Sequence, residues 1–273
     1  VRAESAATVP GRPHQRVEAG LTESPVLLRV GKKHGHNSGS AANPTTMSDV
    51  YFRVGGPHIA KAGTALEGNS DHVLIAPHWV WRGDHGGEGF TATERWNTNS
   101  GRYGAVINGD PVTASGLFVE HFQRYNTVWN GDCGTTILYQ NELPYDPPAQ
   151  ADWTRPDGTL GWTGYKVGDD VQRHRLYGGG VYVFNRNDPS IVTASGFAVP
   201  DRAGVRLHHV LTVNLEVGSI EHVVNDTGAR VDSAAPVAGK ECEPQPQALE
   251  RRAARTEMAD EVGDAAARRA EVR

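Results

Sequence analysis

The sequence has 273 residues, of which 32 are glycine and 16 are proline, and its formal net charge is −5. This length allows one large domain or two small ones, and the glycines and prolines indicate many turns. The acidic balance argues against a nucleic-acid partner, which needs a basic face, and the lack of an apolar run of about 18 residues argues against a membrane span.

The first segment, residues 1–44, contains scattered Arg, Gly, Ser and Pro and a basic GKKHGHN patch. Only the residues Val26 to Leu28 have the composition of a strand start. We therefore predict that most of 1–44 is disordered, low-complexity sequence. The opening residues contain no apolar core of a signal peptide.

Between residues 45 and 235, short runs of β-branched and aromatic residues recur, each closed by Asn, Gly or Asp. Because the runs are short and helical periodicity is scarce, this segment is predicted to be an all-β domain. Clear examples are DVYFRVGG, DHVLIAPHWVW, YGAVINGD, GLFVEHF and TTILYQNELPY.

An internal repeat organises the middle of this domain. The run NGDPVTASGLFVEHF begins at Asn108, and NGDCGTTILYQNELP begins 22 residues later at Asn130, which aligns Glu120 with Glu142. A period of this size in all-β sequence fits one coil of a parallel β-helix, because a single coil cannot bury its inner face without stacked neighbours. A β-sandwich would need hairpins, and no clear Asn-Gly hairpin joins two alternating runs.

The last segment, residues 236–273, is rich in Ala, Glu and Arg. Such a charged tail is predicted to form a marginal, solvated helix or to be disordered.

The aligned Glu120 and Glu142 are the strongest candidates for chemistry. Equivalent residues of stacked coils lie about 4.8 Å apart, so both carboxylates should project from one face. Their repulsion favours a proton on one of them, and a proton donor beside an ionised partner suits acid-assisted glycosidic cleavage. The alternative is a solvated acidic ladder without a catalytic task. Against it, both residues lie among apolar and aromatic neighbours, in LFVEHF and LYQNELPY.

Three aromatic residues lie close to the two glutamates in sequence. Trp129, Tyr139 and Tyr145 could stack on sugar rings, or they could pack between coils. The sequence leaves this choice open.

The same motifs resemble the second β-helix domain of glycoside hydrolase family 55. The resemblance covers roughly residues 47–232 and implies an all-β fold, a right-handed, single-stranded parallel β-helix of the pectin-lyase-like kind, with disordered or helical tails. It is carried by WRGDHGG, GAVINGDPVTASGLFVEHFQRYNTVWNGDCGTTILYQNELPYDPP, GWTGYKV, GGGVYVF, GFAVP, GVRLHHVLTVNL and IEHVVNDTGA.

The resemblance implies an exo-acting, inverting β-1,3-glucanase, an extracellular enzyme that hydrolyses laminarin-type β-1,3-glucan. It implies that Glu142 is the general acid and that Glu120 helps to hold the attacking water. The family places its active site between two β-helix domains, so the resemblance implies a companion N-terminal β-helix half. Residues 1–44 do not resemble such a domain. The candidate substrate-binding residues are Tyr145, Trp79, Trp81, Gln140 and Trp129.

Two other functions stay open on the sequence alone. A non-catalytic β-1,3-glucan-binding or degenerate β-helix module would explain the lack of a first domain. A polysaccharide lyase would often use calcium, and the sequence has no dense Asp cluster to bind it.

Other polar motifs are weaker. The 12 histidines show no metal-ligand spacing, so we expect no metal and no cofactor. Arg82, Asp84 and His85 in WRGDHG predict a charged hydrogen-bond cluster, which we interpret as a structural turn clamp.

Overall fold

The computed structural model describes residues 2–5, 15–33, 39–56, 58–85 and 92–242. These residues are mostly β-strands, with one short helix, α1 (Ala92–Thr98), and a 3-10 turn at Gln150–Trp153. The strands are β1 (Arg2–Ser5), β2 (Gln15–Glu18), β3 (Ser24–Val30), β4 (Thr45–Val54), β5 (Ala62–Gly68), β6 (Val73–Arg82), β7 (Gly101–Ile107), β8 (Val112–Glu120), β9 (Thr127–Trp129), β10 (Gly134–Glu142), β11 (Tyr165–Val167), β12 (His174–Val183), β13 (Val192–Ala198), β14 (Val205–Asn214), β15 (Ser219–Val224) and β16 (Val237–Cys242).

The strands form two sheets whose order follows alternate strands of the chain. The first sheet has the order β1-β2-β4-β6-β8-β10-β12-β14-β16, and the second has the order β15-β13-β11-β9-β7-β5-β3. Among the strand pairs of the described residues, only β1–β2 and β14–β16 are antiparallel, and both lie at an end of the first sheet. Each strand therefore pairs with the next coil rather than with the next strand, which confirms the predicted parallel β-helix.

The 22-residue repeat is the register between β8 and β10, in which Thr113 pairs with Thr135. Asn108 and Asn130 of the repeated NGD motif, and Asn69 of the NSD sequence one coil earlier, stack in a ladder. Nδ2 of Asn130 donates to Oδ1 of Asn108 at 2.8 Å, and Nδ2 of Asn108 donates to Oδ1 of Asn69 at 2.7 Å. Because each amide satisfies the next one, the ladder fixes the same turn, and hence the same register, in three consecutive coils.

A residue in the left-handed backbone region interrupts most of the long strands of the first sheet at one equivalent position. Asp49, Gly116, Leu138, Gly178 and His209 have φ values of 55°, 68°, 59°, 69° and 54°. Register pairs on either side align these five positions across neighbouring coils. A side chain with a β-carbon adopts this region only at a cost, so the stacked coils impose the bend on Leu138. The bend divides the outer surface of the sheet into two faces.

The interior between the sheets is filled by apolar and aromatic side chains. Tyr139 and Tyr165 contact edge to face, with ring centroids 4.8 Å apart. Leu117 of β8, which pairs with Tyr139, is fully buried, and so is Val119 of the same strand. Since this interior is closely packed, groups that meet a ligand must lie at outward strand positions or on the turns.

The boundaries of the β-helix differ from those predicted. Strands β2 and β3 lie within 1–44 and pair with β4 and β5, so the prediction of a largely disordered segment is wrong for these residues. Residues 1–44 contain few apolar positions, because the neighbouring coils supply most of the packing of β2 and β3. These two strands were therefore not recognised from the sequence. Strand β16 lies within the predicted tail, so the prediction of a helix or disorder is wrong for Val237–Cys242, and residues 243–273 lie outside the described residues. Within the described ranges, no helix is long and apolar enough to cross a membrane.

Candidate active site

Glu120 and Glu142 end neighbouring strands and occupy consecutive rungs of the first sheet. The amide of His121 donates to the carbonyl oxygen of Glu142 at 2.8 Å, which continues the register of β8 with β10. On either side, Trp81 pairs with Glu120 and Tyr182 pairs with Glu142. The alignment that the repeat predicted is therefore present, and both side chains lie after the bend in the sheet.

Glu120 is almost fully enclosed, with 8% of its surface exposed. Nε1 of Trp79 donates a 2.7 Å hydrogen bond to Oε2 of Glu120. Burial raises the pKa of Glu120 to about 7, with a further rise from the charge of Glu142 and a partly compensating effect of the Trp79 hydrogen bond. The carboxyl group thus exchanges its proton near neutral pH, where an acid or base catalyst is most effective.

Glu142 is more accessible, with 25% of its side chain exposed. The hydroxyl of Tyr145 donates to Oε2 of Glu142, and Nε2 of Gln140 donates to Oε1 at 3.3 Å. Burial, followed by the hydrogen bond to Glu142, raises the pKa of Tyr145, so its hydroxyl stays a donor. Glu120 is held toward the preceding coil, whereas Glu142 is held toward the loop after its own strand.

The predicted cluster around WRGDHG is confirmed. Arg82 is fully buried and donates to both carboxylate oxygens of Asp146. Nδ1 of His85 lies 2.6 Å from Oδ1 of Asp84, and Oδ2 of Asp84 accepts the backbone amide of Tyr145 at 2.7 Å. The cluster therefore clamps the turn, as predicted, and it also fixes the backbone of the residue that contacts Glu142.

Asp84, His85 and His121 have shifted pKa values in this cluster. Burial alone would raise the pKa of Asp84, but the hydrogen bond from His85 and the charge of Arg82 lower it. The hydrogen bond to Asp84 raises the pKa of His85 against the effect of burial, whereas burial lowers the pKa of His121. Asp84 is therefore ionised beside Arg82, and burial favours the neutral form of His121.

Two depressions lie beside Trp79 on the preceding coils, and one of them reaches Glu120. One has a volume of about 280 Å³ and is lined by Trp79, Phe118 and Glu120. The other has a volume of about 380 Å³ and is lined by Trp79, Trp81 and Arg53. Both include Tyr51, and Trp79 is 44% exposed between them. Exposed aromatic rings beside carboxyl groups offer the flat apolar faces and polar partners that a sugar needs.

Of the seven predicted site residues, six meet on this face and one does not. Trp129 is fully buried, and its ring packs against His174 at 4.9 Å, so its assignment to substrate binding is wrong. Sequence proximity was misleading because Trp129 belongs to the second sheet and points into the core. The structure brings together Glu120, Glu142, Gln140, Tyr145, Trp79 and Trp81.

Tyr51, Arg53 and Phe118 also line these depressions and were not predicted from the sequence. Tyr51 pairs with Trp79, and Trp79 pairs with Phe118, in one row across three coils. Phe118 could have been recognised, since it precedes Glu120 by two positions and therefore shares its face of the strand.

Asp84, His85 and His121 offer possible metal-ligand atoms within 4.8 Å of one another. Their arrangement does not favour an ion. Asp84 already binds His85 and the amide of Tyr145, and Nη2 of Arg82 lies 3.7 Å from its Oδ2. A further cation would be repelled by Arg82.

Known proteins share this architecture. A family profile of the LAM55 pectate lyase-like domain matches residues 5–142. An exo-beta-1,3-glucanase of Streptomyces sp. strain SirexAA-E / ActE is 44% identical over 213 residues, covering 78% of this chain and 34% of that protein. The chain thus spans about a third of that relative's length.

Two solved structures are similar to the chain. One is sacteLam55A from Streptomyces sp. SirexAA-E, and the other is an ensemble refinement of a variant of sacteLam55A in complex with glucose. Each has a TM-score of 0.77 and 39% sequence identity, and each match covers 83% of this chain and 40% of the other. The chain belongs to the LAM55 family of pectate lyase-like β-helices, glycoside hydrolase family 55.

Proposed function

We propose that this chain is the catalytic β-helix half of an exo-acting, inverting β-1,3-glucan hydrolase. The observation that carries the proposal is the pair formed by Glu120 and Glu142, which lie on consecutive rungs beside an aromatic groove. The similar Streptomyces protein is an exo-beta-1,3-glucanase, which supports the same substrate class.

The two carboxyl groups take different roles. Glu142, the more accessible one, donates its proton to the glycosidic oxygen as the bond from that oxygen to the anomeric carbon breaks. Glu120 accepts a proton from a water molecule that attacks the anomeric carbon from the opposite side. Inversion requires space for this water between the carboxyl groups. Their hydrogen bonds to different coils, Glu120 to Trp79 and Glu142 to Tyr145, hold them apart.

The groove gives the substrate its direction. Tyr51, Trp79 and Trp81 border the two depressions, one of which begins at Glu120, and their rings are suited to stack on glucose units of a laminarin-type chain. Because the chain spans 34% of the length of the similar glucanase, we include a companion β-helix domain in the proposal, which completes the cleft.

Release of reducing sugar from laminarin tests the activity, with Glu142→Gln and Glu120→Gln compared against the wild-type chain. Loss of a general acid or base is expected to lower kcat by about 10²- to 10⁴-fold. Glu216→Gln, an exposed glutamate on another coil, is the matched control and should retain full activity. Laminarin binding without turnover, with or without the companion domain, would contradict the hydrolase and indicate a binding module.

The proposal includes an extracellular location, since a polymeric glucan is met outside the cell. Immunodetection in the culture medium of the producing organism should find the protein there. Detection in the cell interior alone would contradict this part of the proposal.

A further inference from the structure

His121 is held rigidly beside Glu142. It is 1% exposed, and its backbone has a φ of 69°, in the left-handed region. Its amide donates to the carbonyl oxygen of Glu142 at 2.8 Å, and its own carbonyl oxygen accepts Nε of Arg82. A conformation that costs energy and is fixed from both sides indicates that the ring orientation matters.

The Nδ1 atom of His121 faces two groups that can only accept. The carbonyl oxygen of Leu143 lies 3.2 Å away, and Oδ2 of the ionised Asp84 lies 3.3 Å away. Neither oxygen carries a hydrogen, so Nδ1 must be the protonated nitrogen. In a neutral ring, Nε2 then bears a lone pair and can only accept.

The surroundings keep this ring neutral. The charged and titratable groups that face it are Asp84, His85 and Arg82 from the β6 end and Glu142 and Tyr145 from the β10 end. Arg82 already carries a positive charge beside this ring, and burial lowers the pKa of His121. A further cation in this enclosed cluster would be unfavourable.

The lone pair on Nε2 faces Oε2 of Glu142 at a distance of 3.6 Å. A carboxyl group that carries its proton can donate to this lone pair. We propose that His121 is a positioning residue that presents a lone pair to Glu142 and thereby orients the carboxyl proton of this general acid. The inference rests on the proposed function, because it deepens the role of Glu142 as general acid.

The tautomer of His121 is the first test and needs no activity. Long-range ¹H–¹⁵N NMR of the folded protein labelled at its histidine rings distinguishes the two neutral tautomers and the imidazolium. The resonance that disappears in His121→Asn identifies the residue. We expect the Nδ1–H tautomer at neutral pH, because burial lowers the pKa of His121 below its usual range. An Nε2–H tautomer, or an imidazolium at neutral pH, would overturn the proposal.

The pH profile of hydrolysis is the second test. His121→Asn keeps a donor near the Nδ1 position and tolerates a positive φ, but it removes the acceptor that faces Glu142. We expect the alkaline limb of kcat to move down by about one pH unit, a roughly tenfold loss above neutrality, while KM stays within about twofold. His209→Asn is the matched control, since His209 is exposed and has a φ of 54°.

The outcomes separate the two claims. A wild-type alkaline limb in His121→Asn would overturn the role of His121, even though the hydrolase stands. If the wild-type protein hydrolyses no glucan, the proposed function fails. The NMR measurement still shows whether Nε2 of His121 carries a lone pair that faces Glu142. If His121→Asn does not fold, selective labelling and assignment of the wild-type rings give the same answer.

Discussion

The indole Nε1–H of Trp79 donates a 2.7 Å hydrogen bond to Oε2 of Glu120, although 41 residues separate the two in sequence. One ring therefore has two contacts: its edge binds a buried carboxyl group, and its exposed surface borders the groove. Under the proposed function, this arrangement would link sugar binding to the proton affinity of Glu120.

Trp79→Phe should raise the pKa of Glu120 above its present value of about 7, because the lost hydrogen bond favours the ionised form. If Glu120 is the base, the acid limb of kcat should move up by about one pH unit. Trp81→Phe, which changes a groove residue of the same type, should change affinity but leave this limb in place. An unchanged acid limb in Trp79→Phe would contradict the coupling.

Glu120 should also make folding stability depend on pH. The folded state keeps the Glu120 proton up to about pH 7, whereas an unfolded chain loses it near 4.5. The folded state therefore binds more protons in this window, and the free energy of unfolding falls as pH rises through it. The loss amounts to up to about 3 kcal/mol by pH 8. Urea unfolding at several pH values should show a flatter curve for Glu120→Gln, and parallel curves would argue against a buried, neutral Glu120.

Two tryptophans should separate binding from stability. Trp129→Ala removes a fully buried ring and should cost about 3–5 kcal/mol of unfolding free energy. Trp79→Ala alters a half-exposed ring and should weaken laminarin binding with a smaller loss of stability. Calorimetric titration and thermal unfolding measure the two effects. The opposite pattern would mean that the groove is not where the glucan binds.

The pair formed by Arg82 and Asp146 should be a strong determinant of stability. Arg82→Met leaves the Asp146 carboxylate buried without its partner and should cost about 3–5 kcal/mol. Adding Asp146→Asn should recover part of this loss, because the uncompensated charge is then removed. Strictly additive losses in a double-mutant cycle would contradict the pairing.

The sequence was most informative where coils have equal length. The 22-residue shift from Asn108 to Asn130 recurs as the spacing of the hydrogen-bonded ladder, and it aligned the two glutamates correctly. Between Asn69 and Asn108 the same ladder step spans 39 residues, so an insertion hides the equivalence of Tyr51, Trp79 and Phe118. Register across unequal coils is set by contacts that a single sequence does not display.

Protonation was harder to predict than alignment. Stacking two carboxylates indicates that one should hold a proton, but which one depends on burial and on partners from distant coils. Glu120 is enclosed beside Trp79, and Glu142 faces His121 and Tyr145, and none of these contacts follows from the repeat. The prediction for Trp129 failed because the position of a residue along its strand decides whether its ring points into the core or outward.

The anomeric configuration of the first sugar released tests the central claim most directly. Laminari-oligosaccharide is mixed with the protein and its companion domain, and ¹H NMR is recorded before mutarotation. We predict that α-glucose appears first from the β-linked substrate, and that Glu142→Gln releases none at the same protein concentration. β-Glucose as the first product, or unaltered release by Glu142→Gln, would contradict it.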